Sequence, residues 1–184
     1  MERGVWMDKI LFNNKYRIES VRLTLWDYSS PAHYFVTICV SNKFPYFGSV
    51  VDGIMRLNKS GEAAQRCWDA VPKHFPHAAS DASIIMPDHV HGIIVIKHRP
   101  ADNRDYAVGL FGPQSKNLGS IVRGFKIGVT KWARENDCDF FWQPRFYDNV
   151  IRDETALNNI RAYIANNPVK WEYDRGRDVS WMSP

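Results

Sequence analysis

At 184 residues, with 45% hydrophobic and 14% aromatic side chains, the chain is too apolar for a disordered tail and long enough to bury one core without disulfides. The 24 Lys and Arg against 20 Asp and Glu leave a net charge of +4, which fits a phosphate-bearing partner and equally fits enzymes that never meet one. Cys39, Cys67 and Cys138 form no Cys-x-x-Cys pair, Met1 to Lys9 contains no apolar stretch, and no apolar run approaches the roughly 20 residues of a membrane span; buried reduced thiols and a soluble, cytoplasmic protein are expected.

Residues 1 to 32 lack sustained periodicity and end in the turn-prone Asp27-Tyr28-Ser29-Ser30-Pro31, so they read as an extension packed on the domain. Tyr34 to Val40 is β-branched and aromatic, as a buried central strand is, and a second strand is expected over Gly48 to Leu57. Ser60 is placed to cap a helix through Glu62, Ala63, Ala64, Cys67, Trp68 and Val71, ended by Pro72 and Pro76. Ser83 to Met86 and His89 to Lys97, separated by Pro87-Asp88, predict two antiparallel strands.

Residues 98 to 117, with Pro100, Gly109, Gly112 and Pro113 among polar neighbours, predict a mobile loop. Leu118, Ile121, Val122, Phe125, Val129 and Trp132 then recur at helical spacing, while Arg123, Lys126, Thr130 and Arg134 share another face. An aromatic strand or strand pair over Phe140 to Ile151 follows. Asp153 is placed to cap a last helix whose core face is Leu157, Ile160 and Ile164 and which Pro168 stops after Asn167, leaving 172 to 184 as a short polar tail. Helices interspersed with antiparallel strands predict an α+β fold, a ferredoxin-like α/β sandwich with a central antiparallel sheet, over residues 33 to 171.

The most specific local pattern is Met86-Pro87-Asp88-His89-Val90-His91-Gly92. Residues at i and i+2 on a strand share a face, so the imidazoles of His89 and His91 can converge on one ion while Val90 faces the core. Two histidines on a strand face are more often plain solvated residues than a metal site, and the flanking sequence must decide. No Cys/His quartet for a closed zinc site is evident; an open ion acting as a Lewis acid on a phosphoryl group is the better match. Magnesium there would need oxygen ligands from elsewhere. His74 and His77, beside Pro76 at a helix end, are read as structural. In the last helix Tyr163 precedes Asn167 by one turn; by itself Tyr163 reads as a core tyrosine with a hydrogen-bonded hydroxyl, and as a nucleophile only if a metal or base helps remove its proton.

Pro87-Asp88-His89-Val90-His91, the stretch Trp142-Gln143-Pro144-Arg145-Phe146-Tyr147-Asp148 and the helix end Tyr163-Ile164-Ala165-Asn166-Asn167-Pro168-Val169-Lys170 together resemble the single-tyrosine HUH transposases, and among them the REP-associated tyrosine transposases. The likeness extends forward through Tyr16 to Ser20, Arg22-Leu23, Asp27-Tyr28-Ser29 and Tyr34 to Thr37, covering roughly residues 14 to 171. It implies that His89 and His91 hold a divalent metal, Mg2+ or Mn2+, that Tyr163 is the nucleophile, and that Asn167 is a polar third ligand where related transposases often carry Gln.

The reaction so implied is transesterification of single-stranded DNA beside a hairpin through a 5′-phosphotyrosine link, by a homodimer or a monomer. For DNA contact Arg123, Lys126 and Arg134 on one helix face, Lys116 in the preceding loop and Arg145 are candidates, a solvated helix face being the plain alternative. Trp142, Phe146 and Tyr147 are candidates for base stacking or, more simply, for the core, and Tyr147 is the second choice of nucleophile. A catalytically silent nucleic-acid-binding module on the same fold, and a nickase of the replication-initiator or relaxase kind, are the competing readings.

Overall fold

The computed structural model describes residues 26–98 and 116–178. The predicted extension up to residue 25, residues 99–115 of the predicted loop and the last six residues lie outside the described residues. Among the described residues no helix is long and apolar enough to cross a membrane.

Four strands form the main sheet: β1 (Ala32–Cys39), β4 (Ala78–Ile85), β5 (His89–Ile96) and β6 (Tyr147–Ile151), in the order β4-β5-β1-β6 with every neighbour antiparallel. Helix α1 (Lys59–Asp69) connects β1 to β4, and α3 (Leu118–Glu135) connects β5 to β6. The order β1-α1-β4-β5-α3-β6, with β5 inserted between β1 and β4, is the split βαβ arrangement of ferredoxin-like sandwiches. The α+β expectation with a central antiparallel sheet is met.

The strands alternate, and each set of side chains meets different helices. Val36, Ile38, Val90, Ile94 and Val150 pack with Ala64 and Trp68 of α1 and Ile121, Phe125 and Val129 of α3. Phe35, Ile84, Ile93, Val95 and Ile151 pack with Leu157, Ile160 and Ile164 of α4 (Glu154–Ala165). Full burial of each such aliphatic or aromatic side chain stabilises the fold by roughly 1.5–3 kcal/mol. Trp26, ahead of β1, donates from Nε1 to Tyr34 Oη (3.1 Å), which donates in turn to the Ser30 carbonyl (2.8 Å).

Several local expectations change. The single strand expected over Gly48 to Leu57 is a hairpin, β2 (Gly48–Val51) and β3 (Ile54–Leu57), because Asp52 and Gly53 both take positive φ (52° and 68°) and form the tight turn that an Asp-Gly pair favours. Helix α1 is capped by Asn58, whose side chain accepts from the Gly61 N–H (2.9 Å); Ser60 lies inside the helix and its hydroxyl donates to the Tyr46 carbonyl. A short α2 (Val71–His74) forms where Pro72 was to end the helix, with Pro72 in its first turn. Pro168 ends α4 only to open another helix, α5 (Asn167–Asp178), across the predicted start of the tail. Lacking an N–H to continue the α4 ladder, proline is tolerated in a first turn. Cys39 and Cys67 are half-buried, whereas Cys138 is exposed just beyond α3, so only two of the three thiols are shielded.

Candidate active site

The tight connection between β4 and β5 fixes where the first histidine starts. The Val40 N–H donates to the Asp88 carbonyl (2.9 Å), the Phe47 N–H to the Pro87 carbonyl (3.0 Å), and the Met86 N–H to the His89 carbonyl (2.8 Å). His89 then faces Cys39 and His91 faces Thr37 in the register of β1 and β5. Their rings lie 4.5 Å apart between centroids, as the period of two requires, and Val90 between them is fully buried on the other face. Gly92 lets this segment lie against α1: a Cβ there would sit 2.1 Å from Trp68 Cζ2.

Each imidazole has one nitrogen fixed by a neighbour. His89 Nδ1 and Asp88 Oδ1 are 2.6 Å apart, so the carboxylate engages Nδ1 and orients the ring. His91 Nδ1 is hydrogen-bonded to Thr37 Oγ1 (2.9 Å), and its Nε2 lies 3.3 Å from Tyr163 Oη. The tautomer that donates from Nδ1 to Thr37 leaves Nε2 to accept the phenol O–H.

Burial, with a smaller contribution from the neighbouring His89, pushes the His91 pKa down to about 3, so the ring is neutral throughout the physiological range. Such an imidazole is a weak proton acceptor and an available lone-pair donor. Phe35 packs against both His91 and the edge of Tyr163, with centroids 5.3 and 6.1 Å away.

Tyr163 reaches the pair because Leu157 and Ile164 bury the sheet-facing stripe of α4, while Tyr163 at the edge of that stripe stays 39% exposed. Asp153 caps α4 as expected, accepting from the Ala156 N–H (2.7 Å). A paired Arg161–Asp81 contact, with Nη2–Oδ2 2.6 Å and Nε–Oδ1 3.1 Å, ties α4 to β4. The guanidinium holds the Asp81 carboxyl below its usual range. Helix α5 closes the other side: Lys170 Nζ lies 5.6 Å from the Tyr163 ring centre, and Trp171 packs 5.6 Å from the His89 ring.

Sequence reasoning assigned no role to Asp88, Thr37, Arg161, Lys170 or Trp171. The acid beside His89 was visible in the motif; the other partners depend on strand register or on the α4–α5 joint.

The predicted residues are only partly gathered. His89, His91 and Tyr163 come together. Asn167 is buried at the start of α5, across the joint from Tyr163 rather than one turn along the same helix, and it makes no side-chain hydrogen bond to either histidine among the described residues. No group of three or more His, Cys, Asp or Glu able to hold a metal occurs among the described residues, so the chain offers a pair of imidazoles with room for other ligands. His77 is buried at the start of β4, where burial lowers its pKa, and His74 ends α2, both remote from the pair.

The basic candidates divide. Arg123 and Arg134 are exposed on α3, which packs on the face of the sheet opposite the histidines. Lys126 is not a free surface cation: its ammonium donates to the Gln143 and Arg145 carbonyls (2.9 and 2.5 Å) and lies 5.7 Å from the Trp142 ring centre. Burial lowers its pKa. Lys116 bonds through its backbone to His77, at the far end of the sheet. Arg145 is exposed, at φ 67°, just before β6. Trp142 and Phe146 pack on the core, as the plain reading has it, while Tyr147 stays 58% exposed.

No family model matches the chain. A protein of Haemophilus influenzae described only as uncharacterised is 41% identical over 163 residues, covering 85% of this chain and 91% of its own. A putative REP-associated tyrosine transposase of the same organism is 28% identical over 150 residues, covering 80% and 76%. The solved structure of a REP-associated tyrosine transposase bound to a REP hairpin shares the fold, with a TM-score of 0.56 at 20% identity over 85% of this chain and 73% of that one. The chain is thus similar in sequence to a putative REP-associated tyrosine transposase and shares the fold of a solved one. This similarity agrees with the sequence motifs, which lie in the segments that carry His89, His91 and Tyr163.

Proposed function

We propose that this chain is a transposase that cuts and rejoins single-stranded DNA at a hairpin, with Tyr163 as the nucleophile. The observation that carries the reading is the approach of Tyr163 Oη to His91 Nε2, 3.3 Å, between a helix and a central strand 72 residues apart in sequence. One chain brings the three residues together, so the reading needs no second copy. The relative bound to a REP hairpin supports a folded DNA substrate.

The bond changes balance without an external energy source. Tyr163 Oη bonds to phosphorus, the bond from phosphorus to the 3′ oxygen breaks, and the departing 3′-hydroxyl carries away the phenol's proton equivalent. The 5′-phosphate stays on the protein as a tyrosyl ester, and attack by a 3′-hydroxyl reverses the step. Because the chain supplies two imidazoles with oriented rings, that of His91 kept neutral by burial, they fit a divalent cation, Mn2+ or, with more oxygen ligands, Mg2+. His89 Nε2 and His91 Nε2 would hold it, with Asn167 a third donor. Such an ion, when bound, stabilises negative charge on the phosphate oxygens. Asp88 and Thr37 hold the two rings in place, Phe35 packs beside the nucleophile, and α4 positions the phenol.

The test is a denaturing gel after incubation with hairpin oligonucleotides bearing unpaired flanks, in Mn2+ or Mg2+. A covalent protein–DNA adduct is expected from the wild-type chain and none from Tyr163→Phe. An adduct that persists in Tyr163→Phe moves the nucleophile elsewhere; hairpin binding with no adduct from the wild-type chain identifies a silent binding module.

A further inference from the structure

Tyr147 is an exposed aromatic whose place in the sheet is not explained by packing. It opens β6, an edge strand, directly opposite Thr37 of β1. Directly opposed residues of an antiparallel pair project from the same face. Thr37 is in turn opposite His91 and hydrogen-bonded to it, so His91, Thr37 and Tyr147 form one row across three strands. At 4.7–4.9 Å per strand the row is about 10 Å long.

The neighbouring aromatics are used differently. Trp142 packs on Phe47, Phe125 and Phe140, with ring centres 4.9–5.7 Å away, and Phe146 joins the same core. Tyr147 has no ring partner among the described residues. The backbone that presents it is nonetheless firmly held. Lys126 clamps the carbonyls of Gln143 and Arg145 from α3, the Gln143 N–H donates to the Cys39 carbonyl (2.9 Å), and Tyr147 itself lies in the β1–β6 ladder. A rigid support, an exposed ring and a place on the same face as the proposed nucleophile are the elements of a stacking platform. The phenol bonded to His91 is that of Tyr163, which leaves the Tyr147 ring for binding rather than bond formation.

We propose that Tyr147 is a nucleobase-binding residue: an unpaired base of the strand whose phosphate lies at Tyr163 stacks on its ring. The interaction needs only a π face, so it carries little sequence preference, and it fixes how the single strand crosses the sheet edge. The inference rests on the reading of this chain as one that acts on single-stranded DNA, but it assigns a role to a residue that the cleavage step does not use.

Fluorescence anisotropy with labelled oligo(dT) and an abasic oligomer of the same length separates the two, without metal or cleavage. Tyr147→Ala is expected to weaken oligo(dT) binding about 5- to 150-fold, the range for losing one base–aromatic stack, and to leave the abasic affinity unchanged. Tyr147→Phe and Tyr147→Trp are expected to keep wild-type affinity for oligo(dT). Equal binding by wild type and Tyr147→Ala overturns the proposal while leaving the cleavage reading intact. Equal loss on both oligomers overturns it too, since that loss is structural or electrostatic. A wild-type chain that binds neither oligomer removes the single-strand reading beneath it.

Discussion

The two faces of the main sheet come from the same alternating strands and are finished in different ways. One lies under α1 and α3, where Val36, Ile38, Val90 and Ile94 are completely buried. The other is covered over only part of its length by α4, whose stripe seals Phe35, Ile93 and Ile151 and leaves Thr37, His89 and Tyr147 at least partly accessible near the end of the sheet. The difference shows how one sheet serves two purposes. A closed face supplies stability, and a partly covered face holds polar groups in fixed positions at an opening. His91 sits at the boundary, buried enough to stay neutral and close enough to the opening to meet Tyr163.

Removing the chemistry of the open face is expected to give the largest effect. His89→Ala and His91→Ala should each lower the rate of adduct formation by about 100- to 1,000-fold, the several kcal/mol that loss of charge stabilisation at a phosphate costs. Affinity for an unpaired oligonucleotide in the absence of metal should change little. Single-turnover gels and anisotropy measure the two separately. A variant that retains its cleavage rate removes that histidine from the site.

Acid tests the boundary residue itself. The His91 pKa is lowered to about 3 in the fold from 6.5 when exposed, so between those values the unfolded chain binds the extra proton. Stability is therefore full above about pH 6.5 and falls as the pH drops toward 3, by about 2 kcal/mol at pH 5 from this residue alone. Urea unfolding at pH 7.5 and pH 5 should show that loss in the wild type and a smaller loss in His91→Gln. Matching losses in both would mean that His91 is not held neutral by burial.

Much of this was legible in the sequence, and what was not has identifiable physical causes. Asp153 capping α4, the period of two that pairs His89 with His91 and the 3.6-residue stripe of α3 are local signals, and each appears in the fold. The Asp52-Gly53 turn was equally local, but the apolar residues on either side disguised a hairpin as one strand. Asn58 and Ser60 both carry capping chemistry; the extended backbone at Asn58 (φ −91°, ψ −176°) decides between them. Thr37 against His91, Arg161 against Asp81 and the separation of Tyr147 from Trp142 and Phe146 depend on strand register, which no stretch of neighbouring residues encodes. Pro168 showed where one helix stops, but not that Asn167 would begin the next.

The smallest expected effects test whether DNA meets one face or both. Lys126 lies between them, on α3 but turned to the Gln143–Arg145 segment beside Tyr147, whereas Arg123 and Arg134 project from α3 on the closed side. If a hairpin stem rests on α3 while the unpaired strand passes the edge at Tyr147, each arginine replaced by alanine should lessen the salt dependence of duplex binding by about 0.9 in log–log slope. The slope for oligo(dT) should remain unchanged. Lys126→Met should alter neither slope, because its ammonium is already engaged by backbone carbonyls; the expected cost is about 1 kcal/mol of stability. Anisotropy titrations at several salt concentrations measure these slopes. A lower duplex slope in Lys126→Met would make that lysine a phosphate contact, and an unchanged one in both arginine variants would confine DNA to the open face.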